Sequence, residues 1–222
     1  MRHLLSTKVL SKEQVEQLES AGWMVVQYDA ISIEMQQTPI EPGDQTLIFT
    51  SKNAVKAFLR SFPKEDFSGI RCLCVGSRAV GMLRERGCTV LEEAPTAEYL
   101  ARLIQKGYAK DSFIYYCGDR RLDRIPDALD RLGVQWKEAI NYKTILNQKA
   151  FNREFEAVLF FSPSGVESFT RNNNIQGAMG YCIGETTAEA LRKHTNRIII
   201  AKTPTIEGLI AEVVAETNLL NH

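Results

Sequence analysis

Histidine is scarce in this 222-residue chain, with His3 and His222 at the two ends and only His194 between them. An interior Cys/His cluster for zinc is therefore ruled out, and a Ser-His-Asp triad lacks its base. An excess of either charge is also missing, since 27 Lys and Arg balance 27 Asp and Glu. A general nucleic-acid binder normally carries a basic excess, so that class of partner is set aside. The five cysteines, Cys72, Cys74, Cys88, Cys117 and Cys182, are odd in number and form no CxxC pair, which points to reduced thiols in a cytoplasmic protein. Cys72 and Cys74 alternate along an apolar run and would face one side of a strand as small core residues. No apolar run approaches the ~18 to 20 residues of a membrane span. The start, Met1-Arg2-His3-Leu4-Leu5, leads into Ser and Lys rather than a long signal core, so no membrane partner is expected. A Gly-x-Gly-x-x-Gly after a strand and a phosphate-loop Gly-Lys-Ser/Thr are both absent, which disfavours a nucleotide-dependent enzyme. Tyr28-Asp29 stands alone and makes no acidic cluster for a phosphoacceptor domain. Chemistry here has to come from hydroxyls, carboxylates, Arg, Lys or backbone amides.

What the chain does contain is a worn internal duplication. The stretch Leu47-Ile48-Phe49-Thr50-Ser51-Lys52-Asn53-Ala54-Val55-Lys56-Ala57-Phe58 returns as Leu159-Phe160-Phe161-Ser162-Pro163-Ser164-Gly165-Val166-Glu167-Ser168-Phe169. Ser51 matches Ser162, Val55 matches Val166 and Phe58 matches Phe169 at a spacing of 111 residues, which Leu18 with Leu129 and Gly22 with Gly133 also keep. Each copy is an apolar run that ends in small or hydroxyl-bearing residues and then turns amphipathic, the pattern of a buried strand, a polar turn and a helix. Such a turn aims unpaired backbone N–H groups and hydroxyls out of the sheet end, where a ligand with several negative charges can sit.

Taken in order, Leu4 to Lys8 starts as a strand, Ser11 and Gln14 offer a capping box, and Gly22 ends the helix before a second strand at Met24 to Tyr28. Ser32 to Gln45, with Thr38-Pro39 and Glu41-Pro42-Gly43-Asp44, reads as turn and linker. Strand-helix units then follow through Arg71 to Val75 with Gly76-Ser77-Arg78, and through Cys88 to Leu91 with the helix Ala97 to Lys106. The second copy repeats the order from Phe113 through Gly118-Asp119-Arg120-Arg121, Ser162 and Gly184 to the last helix after Thr203-Pro204-Thr205. This alternation predicts an α/β protein with parallel sheets covered on both faces, the doubly wound class.

The chain resembles the uroporphyrinogen-III synthase family. The resemblance rests on Phe49-Thr50-Ser51 with Ala54-Val55, Val75-Gly76, Gly118 with Arg120-Arg121, Asn141-Tyr142-Lys143-Thr144, Phe161-Ser162-Pro163-Ser164-Gly165-Val166 and Ile183-Gly184-Glu185-Thr186-Thr187-Ala188, in the family's order. It implies two doubly wound parallel-sheet, flavodoxin-like domains joined by a two-segment hinge: one domain made of both termini, 1–34 and 146–222, an inserted domain, 38–142, and hinge segments at 35–37 and 143–145; a tandem split near Lys110-Asp111 is the alternative from sequence. It also implies a cytoplasmic, monomeric enzyme that closes the linear tetrapyrrole hydroxymethylbilane, with its eight carboxylates, to uroporphyrinogen III, losing water and inverting the last ring. No cofactor and no metal is implied, and the substrate can be handed over from hydroxymethylbilane synthase. Tyr142 matches the family's interdomain-edge tyrosine and becomes the candidate proton donor, with an ordinary core-capping strand tyrosine as its other reading. For the carboxylates, the strand-end turns supply Thr50, Ser51 and Lys52, then Gly76, Ser77 and Arg78, then Ser162, Ser164 and Gly165, then Thr186 and Thr187, with Arg120 adding charge. Each Ser or Thr has N-capping as its rival role. Lys8 stands where many family members carry arginine, and Glu185 places a negative charge beside a binding turn. A non-catalytic two-domain binding or sensing protein of the same fold is the alternative function.

Overall fold

A computed structural model describes residues 2–37, 40–63 and 66–220, leaving Thr38-Pro39 and His222 outside. In chain order the elements are β1 (Arg2–Ser6), α1 (Lys12–Ser20), β2 (Trp23–Gln27), β3 (Ile31–Met35), β4 (Thr46–Phe49), α2 (Lys52–Ser61), β5 (Arg71–Val75), α3 (Ser77–Arg84), β6 (Thr89–Ala94) and α4 (Ala97–Gly107). They continue with β7 (Phe113–Gly118), α5 (Arg124–Leu132), β8 (Trp136–Leu146), β9 (Ala157–Phe160), α6 (Pro163–Thr170), β10 (Met179–Cys182), α7 (Glu185–Leu191), β11 (Ile198–Ile200) and α8 (Ile206–Leu220).

The chain divides into two compact units, unit 1 from Met1–Ser32 with Ile145–His222 and unit 2 from Ile33–Thr144. Unit 1 holds a parallel sheet in the order β11-β10-β9-β1-β2. Unit 2 holds the order β3-β8-β7-β4-β5-β6, parallel from β8 to β6. The duplication explains both orders at once. Each sheet takes two strands from the front of one copy, β1-β2 or β7-β8, and three from the back of the other, β9-β10-β11 or β4-β5-β6, and unit 2 adds β3 at its edge. In each, the winding direction reverses at one place, between β1 and β9 in unit 1 and between β7 and β4 in unit 2.

Helices cover both faces of each sheet. Strand β4 is buried along its whole length, with Leu47 and Phe49 packing toward α2 and α3 while Ile48 packs toward α4 and α5. This two-sided burial is why its sequence is continuously apolar rather than alternating. Unit 1 repeats the arrangement, with Val158 and Phe160 toward α6 and α7 and Ala157 and Leu159 toward α1 and α8. All five cysteines are buried and free, and Cys72 and Cys74 share one face as expected.

One expectation needs correction. Ser32 to Gln45 is not linker throughout, because Ile31–Met35 forms β3, a neighbour of β8 in the sheet of unit 2. Nor is 143–145 a free connector, since it lies inside β8. The passages between the units, at Ser32–Ile33 and Thr144–Ile145, thus fall within two adjacent strands. The linker reading rested on the Pro and Gly residues further on, whereas Ile31, Ser32, Ile33 and Glu34 alternate with the period of two of a strand with one exposed side.

Candidate functional site

In an open parallel sheet, ligands bind outside the carboxyl ends of the strands where the winding reverses, because the connections there diverge to opposite faces and leave a crevice. In unit 2 that place lies between the ends of β4 and β7, and it gathers several of the nominated residues. Thr50 follows β4, and its Oγ1 lies 2.9 Å from the Tyr115 hydroxyl in a hydrogen bond. Ser51 caps α2, its Oγ accepting from the Asn53 N–H at 3.1 Å. Burial raises the Tyr142 pKa above the ordinary 10.0, and the nearby Ser51 hydroxyl only partly offsets this. The phenol therefore holds its proton at neutral pH.

Gly118, the last residue of β7, is opposite Tyr142 in β8. A Cβ on Gly118 would lie 2.3 Å from Tyr142 Cζ and 2.7 Å from its hydroxyl oxygen, so the tyrosine ring lies over bare backbone. Lys52, Ser77, Arg78 and Arg120 are exposed on the following turns. Arg78 has no ion-pair partner among the described residues, which leaves its guanidinium available to an anion. Arg121 differs: its Nε donates to Glu138 Oε1 at 2.5 Å, and the guanidinium also pairs with Asp123. That pairing, the Glu138 hydrogen bond first, holds it firmly in the charged form.

The two glycine turns are not equivalent. Gly76 caps α3 at φ 86°, a left-handed conformation that favours glycine, whereas Gly184 caps α7 at φ −176°, ordinary extended backbone. Beside Gly184, the charge of Glu185 is met by Arg192 at 2.5 Å, so it opposes an incoming carboxylate less than its sequence position suggests.

In unit 1 the reversal lies between the ends of β1 and β9. Ser162 caps α6, its Oγ accepting from the Gly165 N–H at 3.0 Å, with Pro163 in the first helical position. Thr7 crosses from β1, donating its hydroxyl to the Leu159 carbonyl at 2.7 Å. The position of a Cβ on buried Gly165 would be 3.5 Å from Thr7 Oγ1. Ser164 is half-buried, and its hydroxyl makes no hydrogen bond among the described residues. Thr186 is exposed, but Thr187 is only 2 % exposed within α7 and is withdrawn as a contact. Thr7 was missed as a site residue, although the spacing of 111 that pairs it with Gly118 marks it.

A groove of about 800 Å³ lies elsewhere, between α1 and α8, and none of the strand-end turns lines it. Glu13, Glu16 and Glu207 on its rim carry the wrong sign for a polycarboxylate, so the strand ends are preferred as the site.

The family model described as uroporphyrinogen-III synthase HemD matches residues 12–211. Among solved structures, a uroporphyrinogen-III synthetase from Helicobacter pylori is similar at TM-score 0.75 and 17% identity, covering 97% of this chain and 100% of that one. A mutant uroporphyrinogen III synthase from the extremely thermophilic bacterium Thermus thermophilus is similar at TM-score 0.68 and 15% identity, covering 99% of each chain. At these identities the structures speak for the fold alone. Among curated proteins, none matches by sequence.

Proposed function

The chain belongs to the uroporphyrinogen-III synthase family, and we propose that it carries out the family's reaction with the residues of its strand-end turns. The protein is a lyase of tetrapyrrole biosynthesis that closes hydroxymethylbilane to uroporphyrinogen III, with loss of water and inversion of ring D. On this reading Tyr142 gives its proton to the departing hydroxyl, which leaves as water while the pyrrole's own electrons form the azafulvene. The proton released as the ring closes returns the phenolate to phenol, so neither an oxidant nor a cofactor enters the balance. Because the substrate ionises readily, most of the protein's work is to hold it so that attack falls on the substituted carbon of the last ring.

The observation that carries this reading is the meeting of a protonated phenol, a cap hydroxyl and bare glycine backbone at the reversal point of unit 2. Thr50, Ser51, Lys52, Gly76, Ser77, Arg78, Arg120, Ser162, Ser164, Gly165 and Thr186 supply hydroxyls, amides and cations for the carboxylates. We further read the enzyme as a cytoplasmic monomer able to take its substrate from hydroxymethylbilane synthase.

The direct test is to incubate the purified chain with enzymatically generated hydroxymethylbilane and separate the oxidised product isomers. Isomer III is expected in excess; isomer I alone, at the uncatalysed rate, would overturn the catalytic reading and leave a binding protein.

Two serines at the start of α6 separate capping from binding. Ser162→Ala removes the cap and should cost about 1 kcal/mol of stability, read from chemical denaturation. Ser164→Ala touches no internal hydrogen bond, so it should raise KM about tenfold or more, the loss of one hydrogen bond to a charged group of about 1.5 kcal/mol or more, without lowering stability. An unchanged KM would remove Ser164 from the binding set.

A further inference from the structure

Tyr142 owes its place to its neighbours in unit 2, and one of those neighbours has so far had no role. The pairing of β7 with β8 shifts register between Cys117 and Gly118: Cys117 faces Ile140, and Gly118 faces Tyr142, so Asn141 is passed over. This bulge turns the strand where the tyrosine emerges. On one side Asn141 is fully buried, and its Nδ2 donates to the Ala54 carbonyl of α2 at 2.9 Å. On the other side stands Asp119. Its backbone N–H donates to the Tyr142 carbonyl at 3.2 Å, and its Oδ1 accepts from the Thr144 N–H at 2.9 Å. The two hydrogen bonds bracket Tyr142 and Thr144, the last residues of unit 2 before the chain passes into unit 1.

We propose that Asp119 is a positioning residue for the ring-closing reaction, locking the bulged strand so that the Tyr142 phenol stays over Gly118 and against Ser51. The proposal rests on the reading of Tyr142 as proton donor and adds a specific handle to it. The side chain of Asp119 need not touch the substrate. It is exposed, and its Oδ1 is spent on a backbone amide two residues beyond the phenol. Its charge is the smallest of the influences on the Tyr142 pKa, so its main route to the reaction is the course of β8. What the interaction requires is an acceptor atom at that point, not a negative charge. Asparagine supplies that acceptor and alanine does not.

The test uses the full-length enzyme in three variants, Asp119→Asn, Asp119→Ala and Tyr142→Phe, and the double variant Asp119→Ala with Tyr142→Phe. Asp119→Ala is expected to lower kcat about 10-fold with KM little changed, since a displaced catalytic group costs rate rather than binding. It should also raise the share of isomer I. Asp119→Asn is expected to retain most of the turnover. In the Tyr142→Phe background the alanine change should cost less than about 2-fold, because two changes acting through one group are not additive. A merely structural role would instead give full additivity, and that result would overturn the proposal.

A second readout does not depend on Tyr142 being catalytic. With carbon-13 in the tyrosine rings, the Tyr142 signal is identified by its disappearance in Tyr142→Phe. It should move or broaden in Asp119→Ala and remain near its wild-type place in Asp119→Asn. An unmoved signal in Asp119→Ala overturns the positioning role even if turnover falls. Full turnover in Tyr142→Phe together with a moved signal would sink the proton-donor reading and leave the positioning role standing.

Discussion

Tyr142→Phe is expected to lower turnover by about 10²-fold, at the lower end of what a positioned general acid contributes, without abolishing it. The substitution removes one oxygen and keeps the ring, so packing against the aromatic core of unit 2 survives. Stability should therefore change little, which chemical denaturation would read. The pH dependence gives a second check. A general acid must be protonated to act, and burial lifts this phenol above 10.0, so wild-type turnover should be insensitive to its ionisation until the pH exceeds 10. Above that pH a basic limb should appear in the wild type and be missing from the variant. Unchanged turnover in steady-state assays would return Tyr142 to a structural role.

The second large effect is expected at Gly118. Its backbone φ is not in the positive range, so glycine is needed there for room rather than for conformation. In Gly118→Ala the new methyl would fall 2.3 Å and 2.4 Å from ring atoms of Tyr142, well inside contact distance, and the ring must leave its seat. Turnover should therefore fall at least as far as in Tyr142→Phe, and crowding should lower stability by about 1–3 kcal/mol. Because the clash is with one side chain, Gly118→Ala should cost little further stability in a Tyr142→Ala background, which has already lost the packing of the ring. If Gly118→Ala lowers the denaturation midpoint equally in the wild-type and Tyr142→Ala backgrounds, the crowding lies elsewhere and the seat is misassigned.

Much of this was legible from the residues because the duplication repeats local chemistry. Ser51 and Ser162 recur 111 residues apart, and both turn out to cap a helix that follows a buried strand, each through its side-chain oxygen. Gly133 stops α5 in the left-handed conformation, as its place after an amphipathic run suggested. These features are encoded within a few residues of where they act. What escaped reading depends on partners far along the chain. Arg121, beside the nominated Arg120, is held by Glu138 on the next strand, a partner that no local pattern shows. Glu185 looked repulsive until Arg192, two turns further on and just beyond the end of α7, was found to meet its charge. Thr187 resembled its exposed neighbour Thr186, yet the helix turns it inward. The strand β8 was hidden because its burial is uneven, with Ile140 exposed at 45% beside buried Asn141.

The interleaving of the two copies also bears on how the chain acquires its shape as it is made. Residues 33–144 are contiguous and carry the sheet of unit 2 without interruption, so this portion can close as soon as it leaves the ribosome. The first two strands have no such local completion. Leu4 and Leu5 pair with Ala157 and Val158, so β1 keeps an open edge until most of the chain has been synthesised. An unsatisfied parallel edge of apolar residues is a template for wrong pairing, and long-range closure of this kind is slow. Damage that truncates the chain before β9 should therefore strand its earliest residues, and the nascent amino-terminal unit of β1, α1 and β2 is where a chaperone would have the most to protect.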